Sequence, residues 1–220
     1  IAWLAMRLGN RLAVWWLLRI YAFSARWAAG RTAGLDARIG IFAARVAAAA
    51  RDPELDEILV VSHSVGSMLA VPVMAQVLDD LDGESGVLDG RRLVLVTLGE
   101  CIPLVSFQPQ AAAYRQALQT VGCHPGLLWV DYTAPTDGAC FPLLNPVVAS
   151  GLAVADGSGP HILSPRFFTL YSPARYRRLR RDWYGMHFLY LMATDYAYGY
   201  DYFAMTCGPR PAAEWVGGTR

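Results

Sequence analysis

Ser64 is the residue whose surroundings most directly imply chemistry. It stands in Glu57-Ile58-Leu59-Val60-Val61-Ser62-His63-Ser64-Val65-Gly66-Ser67-Met68-Leu69-Ala70. This is a continuously apolar run, a tight turn centred on the serine, and a stretch of small residues suited to a helix. A strand, turn and helix in that order form the setting in which a serine can act as a nucleophile. A hydroxyl is a poor nucleophile at neutral pH, so it needs exposure, an adjacent base and a donor for the oxyanion. The turn exposes Oγ at the C-terminal edge of the sheet. Small residues two before and two after it, Ser62 and Gly66, let strand and helix approach closely. The usual Gly-x-Ser-x-Gly pattern is Ser-x-Ser-x-Gly here. The competing role is that of an ordinary serine in a structural strand-helix turn.

The rest of the composition narrows the alternatives. All 19 basic residues are arginine, so a Schiff-base lysine, a pyridoxal-phosphate lysine and a Walker lysine are excluded for want of a primary amine. Cys101, Cys123, Cys140 and Cys207 lie far apart with no Cys-x-x-Cys pair, which disfavours a zinc or redox motif. They read as free thiols in a reduced, cytoplasmic setting, and neither a metal nor a cofactor is expected. A formal net charge of +1 argues against wholesale nucleic-acid binding. The chain of 220 residues is 55% hydrophobic and 17% charged, enough for one domain with a substantial core and too apolar for disorder.

The elements that must position Ser64 follow from the hydrophobic pattern. Ile58–Val61, Leu93–Leu98 and Leu127–Tyr132 are short apolar runs, as expected of strands buried on both faces. Helical spacing occupies Asp36–Ala50, with Ile39, Phe42 and Val46 on one face, the stretch from Ser64 to Leu81, and Pro109–Thr120. Pro72 should kink the second of these. Asp82-Gly83-Glu84-Ser85-Gly86 reads as a polar turn. His161–Leu170 is a weaker strand, and Pro173 to Met192 a mixed, partly helical stretch. The tyrosine-rich run Tyr196–Tyr202 implies packing rather than chemistry. Strands alternating with helices predict an α/β fold with a mostly parallel sheet flanked by helices.

The stretch around Ser64 resembles the α/β-hydrolase superfamily, particularly lipase-like members whose elbow reads Gly-His-Ser-Leu-Gly. His63, Ser64 and Gly66 match; Ser62 and Val65 depart. The similarity continues in Leu95-Val96-Thr97-Leu98-Gly99, in Trp129-Val130-Asp131-Tyr132 and in the loop containing Asp137, and spans roughly Leu35 to Tyr190. It implies a serine esterase or lipase acting through an acyl-enzyme, with a small-molecule ester or lipid as substrate. It also implies a triad in the order serine, acid, histidine.

Two acids suit that order: Asp131 within or at the end of the third strand, and Asp137 in the Pro135-Thr136-Asp137-Gly138 loop, where the family acid belongs. Asp137 is preferred, although Asp-Gly is also a turn signal. Among the histidines, His63 should project away from Ser64, His124 comes before the acid, and His161 lies in a Gly- and Pro-rich stretch. His187 comes last and fits the order best, its competing role being packing among aromatics. The resemblance implies that the Val65 backbone N–H supplies one oxyanion donor. The second donor, and the early strands of such a fold, are expected upstream of Ile1.

Two basic features remain. Residues 1–34 read as an N-terminal region distinct from a hydrolase-like domain over residues 35–220. Within it, Ile1 to about Ala29 reads as one amphipathic helix whose Arg7, Arg11, Arg19 and Arg26 fall within an arc of about 120°. Its uncharged middle is far shorter than the roughly 18 residues of a spanning helix. Such a helix packs on its own domain or lies in a membrane interface, which would place the protein peripherally at a membrane. Arg175, Arg177, Arg178, Arg180 and Arg181 form a second cluster, read as a solvated helix face with Tyr176 and Leu179 beneath, or else as an anion site. Together these features allow a rival class: a non-catalytic, membrane-associated module on a hydrolase-like fold.

Overall fold

The three apolar runs form strands that a parallel sheet covers on both faces, almost completely in the second and third and only partly in the first. The computed structural model describes residues 2–11, 13–82, 84, 92–155, 158–196 and 198–216. In chain order α1 (Ala2–Arg11), α2 (Val14–Ala28) and α3 (Leu35–Ala50) precede β1 (Glu57–His63), which leads into α4 (Val65–Leu81). Next come β2 (Arg92–Leu98), α5 (Pro103–Ser106), α6 (Ala112–Cys123), β3 (Leu127–Tyr132) and α7 (Pro146–Ala149). β4 (Pro160–Leu163) is followed by α8 (Phe167–Leu170), α9 (Pro173–Leu179), α10 (Trp183–Met186), a 3-10 turn at Leu189–Leu191, α11 (Tyr202–Cys207) and α12 (Ala213–Val216).

The protein is therefore α/β, with a four-stranded, all-parallel sheet in the order β1-β2-β3-β4. Alternate side chains divide its core in two. Ile58, Leu93, Leu95 and Trp129 meet α3, α4 and α6 on one face. Val94, Val96, Leu98, Val130 and Tyr132 meet the segments from Phe167 to Trp215 on the other. The register aligns the strand ends: His63 lies beside Leu98 and Leu98 beside Tyr132. The loops that leave β1, β2 and β3 therefore emerge together. No strand precedes β1 among the described residues, so the strand carrying Ser64 lies at a sheet edge.

Several expectations need correction. The N-terminal segment is not one helix. Ala13 takes a left-handed conformation, φ 53°, and splits it into α1 and α2. The two helices fold closely together at Gly9, where a Cβ would collide with the Trp15 indole. On α3 the buried stripe is Ile39, Ala43, Ala47 and Ala50, while Phe42 is exposed. Alanine is small enough to bring α3 close against α4, so the helix packs on its alanine face rather than on its largest side chain. The weak strand ends at Leu163, because Pro165 follows and Arg166 turns left-handed, φ 50°, before α8. α6 begins at Ala112 rather than Pro109. Of the polar turn after α4, Gly83, Ser85 and Gly86 lie outside the described residues. α4 itself runs unbroken through Pro72.

Candidate active site

The end of β1 and the start of α4 hold Ser64 in a conformation that few residues adopt. Its φ of 57° and ψ of −124° lie outside the regions ordinarily open to a side chain with a Cβ. Strain of this kind persists only where neighbouring bonds impose it. Ser64 N donates to Leu98 O at 2.9 Å, which continues the β1-β2 ladder into the turn. Ser67 Oγ donates to Ser64 O, and Ser67 Oγ accepts from Cys101 N at 3.0 Å. Ser67 thus ties the turn to the loop after β2, a role that a serine on a small-residue helix does not advertise in sequence. A Cβ at Gly66 would sit 3.8 Å from Ser62 Cβ, an ordinary contact that a bulkier residue 62 would crowd.

The loops after β3 and the segment after α10 bring a second group to this turn. Asp137 Oδ2 accepts from His187 Nδ1 at 2.8 Å, with both side chains fully enclosed. Asp137 Oδ1 accepts from Ala139 N at 3.0 Å, and Asp137 N donates to Ala134 O, so the acid also shapes its own turn. Burial alone would raise the Asp137 pKa. The hydrogen bond and charge of His187 and the Ala139 N–H outweigh it and hold the group below the ordinary carboxylate range. An ionised Asp137 can only accept, so the proton of neutral His187 belongs on Nδ1. That leaves Nε2 with its lone pair, and Nε2 is buried without a partner.

The structure therefore brings Ser64, Asp137 and His187 to one corner of the sheet. His187 meets the elbow through His63, whose Nε2–H donates to His187 O at 2.7 Å and whose ring lies 4.7 Å from the His187 ring. His63, expected only to project away from Ser64, links the turn to the segment that carries His187. Burial lowers its pKa, and the charge of His187 adds to this against the hydrogen bond to His187 O. Ser64 Oγ rests 3.9 Å from Cys101 Sγ, whose thiol burial pushes up to about 12. His124 and His161 lie elsewhere: His124 Nδ1 accepts from Gly126 N, and His161 is exposed on β4. As the first residue of α4, Val65 presents an N–H that has no acceptor within the helix.

Three further residues complete the corner, none of them singled out as a site residue by the sequence pattern. Tyr190 OH donates to Asp137 Oδ2 at 3.1 Å and accepts from Ala134 N at 2.9 Å. Burial raises its pKa far above the ordinary range, so it remains a donor. Its spacing of three from His187 was the only available hint. Gly99, φ 54°, is where the chain leaves β2. A Cβ there would stand 2.9 Å from Tyr190 Cε2, 3.2 Å from Asp137 Oδ2 and 3.4 Å from His187 Cε1. Trp16 of α2 packs edge-on over His187 at 5.4 Å, and also meets Tyr184 at 5.2 Å and Trp183 at 6.2 Å. The N-terminal segment thus packs on its own domain and roofs the histidine.

Asp131, the rival acid, is turned to the other side of the sheet. Its Oδ1 accepts from Thr97 Oγ1 at 2.6 Å, and Thr97 Oγ1 accepts from Trp129 Nε1 at 3.0 Å. Nearby Glu100 accepts from Ile102 N at 2.7 Å. Asp131 Oδ2 and Glu100 Oε1 are buried without partners. Burial raises both pKa values, and for Glu100 the charge of Asp131 adds to it.

Elsewhere, Tyr176 and Leu179 of α9 pack inward while Arg177, Arg178, Arg180 and Arg181 are exposed, as a solvated face requires. Arg175 pairs with Asp195. The four cysteines are free, and no cluster able to hold a metal occurs among the described residues. Within the tyrosine run, Tyr200 is buried and its hydroxyl donates to Tyr190 O at 2.6 Å. No family model matches the chain, and neither a curated protein nor a solved structure matches it.

Proposed function

We propose that this protein is a serine hydrolase of the α/β-hydrolase type, cleaving a carboxylic ester through an acyl-enzyme on Ser64. One observation carries the proposal: an imidazole whose Nδ1 is committed to a buried carboxylate, leaving a bare Nε2, with its ring 4.7 Å from that of His63, the residue before the serine of the strained turn. This division of labour between the two ring nitrogens is what a general base needs.

The Ser64 hydroxyl rotates from Cys101 to His187 Nε2 and transfers its proton there as Oγ bonds to the ester carbonyl carbon. Asp137 stabilises the resulting imidazolium, with Tyr190 OH and Ala139 N–H holding the carboxylate in place. The carbonyl oxygen becomes an oxyanion that the Val65 N–H can bind. Collapse breaks the bond to the alcohol oxygen, which takes the proton from His187 and leaves acyl-Ser64. Water then gives a proton to His187 as it attacks the acyl carbon, and the acid departs as that proton returns to Ser64 Oγ. Transfer to an acceptor other than water uses the same intermediate.

The test is a short-chain activated ester together with a fluorophosphonate probe, applied to the full chain. Ser64 should be labelled, and Ser64→Ala should remove labelling and lower turnover by at least about 10⁴-fold. Retained turnover in Ser64→Ala, or failure of the probe to label any residue, overturns the proposal.

A further inference from the structure

The outward side of the α1-α2 hairpin has features that its packing does not use. Inward, α2 spends Trp16 on His187, Ile20 and Ser24 in burial, and Phe23 and Trp27 against the core, with Ser24 Oγ donating to Ile20 O at 2.9 Å and lying 3.7 Å from Met68 Sδ. Outward, Trp3 is 68% exposed, Met6 60%, Tyr21 54% and Leu18 52%, with Trp15 alongside. Met6, Trp15, Leu18, Arg19 and Ala22 line an open cleft of about 520 Å³ between the two helices. Isolated exposed apolar residues need no explanation, but a contiguous set marks a contact surface.

Charge decides what would cover it. The first 35 residues contain five arginines and no acid, while the whole chain carries only +1, so the remainder holds an excess of acid. Arg7 and Arg19 are exposed on this hairpin and pair with no carboxylate among the described residues. The Arg7 guanidinium lies over the Trp3 ring, 5.0 Å from its centroid. Apposing two copies of this face would set arginine against arginine, which disfavours a second copy. Apolar side chains with tryptophan among them, rimmed by unpaired arginines, fit the boundary between acyl chains and anionic headgroups. No helix among the described residues is long and apolar enough to cross a membrane.

We infer that the outward face of α1 and α2 docks on an anionic lipid bilayer, with Trp3, Met6, Trp15 and Leu18 at acyl depth and Arg7 and Arg19 on headgroup phosphates. The docking is independent of catalysis, although Trp16 on the opposite side of the same helix contacts His187.

Sedimentation of the full chain with phosphatidylcholine vesicles, with and without phosphatidylserine, tests it. Binding should require phosphatidylserine and weaken in high salt. Arg7→Gln with Arg19→Gln should cost about thirtyfold in affinity, from about fivefold per basic residue at an anionic surface. Met6→Ser with Leu18→Ser should cost tenfold or more, and brominated lipid should quench tryptophan emission. Both pairs are exposed, so they leave the fold intact, and Ser64→Ala should bind as the parent does. Absence of vesicle binding, or equal binding to both vesicle types, overturns the proposal. So does a dimer in sedimentation velocity that Met6→Ser with Leu18→Ser dissociates, which assigns the face to a second copy.

Discussion

Asp137 and Asp131 sit at the same strand end six positions apart, are equally buried, and have their pKa values moved in opposite directions. Asp137 accepts from an imidazole, a phenol and a backbone amide, and its pKa is lowered despite burial. Asp131 has only threonine hydroxyls, those of Thr97 and Thr133, to set against its burial, and faces Glu100, another buried acid with an unpartnered oxygen. There burial wins and both pKa values are raised, that of Asp131 to about 7. Depth alone does not set the protonation of a buried acid; the number and kind of donors aimed at it do. The two carboxyls are therefore suited to different work. One can orient and balance an imidazolium, while the other is a neutral or shared-proton element of the sheet's helical face.

Substitutions can break or sharpen this contrast. The largest effect should come from Asp137→Asn, which keeps shape but removes the charge and the fixed Nδ1–H tautomer. Ester turnover should fall on the order of 10³ to 10⁴-fold, measured as kcat. A loss under tenfold would dissolve the distinction between the two acids. Tyr190→Phe should cost less in rate, because His187 keeps its partner. It orphans the buried Ala134 N–H, so stability should drop by about 1–3 kcal/mol in denaturant unfolding.

Asp131→Asn should change turnover by no more than about twofold. Its effect is on stability, and it depends on pH. A carboxyl whose folded pKa is raised favours the native state at low pH, and that contribution is lost as pH climbs from about 4 toward neutrality. Asp137 acts in the opposite sense: its contribution is present above the ordinary carboxylate pKa and is lost as pH falls below it. Thermal unfolding should thus show the parent losing stability relative to Asp131→Asn between about pH 4 and pH 7, by a few kcal/mol. Parallel profiles would show that Asp131 is not held protonated.

How much of this was legible depended on distance along the chain. β3 was readable to the residue, and β1 and β2 nearly so, because a strand buried on both faces needs an unbroken apolar run. The elbow was readable because strand, turn and helix are adjacent. Asp137 and His187 could be chosen only by their order, since nothing local distinguishes an acid aimed at histidine from one aimed at Thr97. α3 misled because its longest apolar side chain, Phe42, lies outside the alanine stripe that packs. The break between α1 and α2 was hidden because Ala13, a strong helix former, adopts a left-handed turn.

The sequence by itself determined the alternation of strands and helices, the serine at a strand-helix junction and the concentration of arginine without acid at the N-terminus. Each is a property of neighbours in the chain, set by burial period, residue size and charge. Only the tertiary structure decided that Asp137 rather than Asp131 meets His187, that Tyr190 and Gly99 shape the corner, and that Trp16 closes over it. Those contacts join residues up to 171 positions apart, from Trp16 to His187. They follow from which side chains parallel register places at a common strand end, and no local pattern records that.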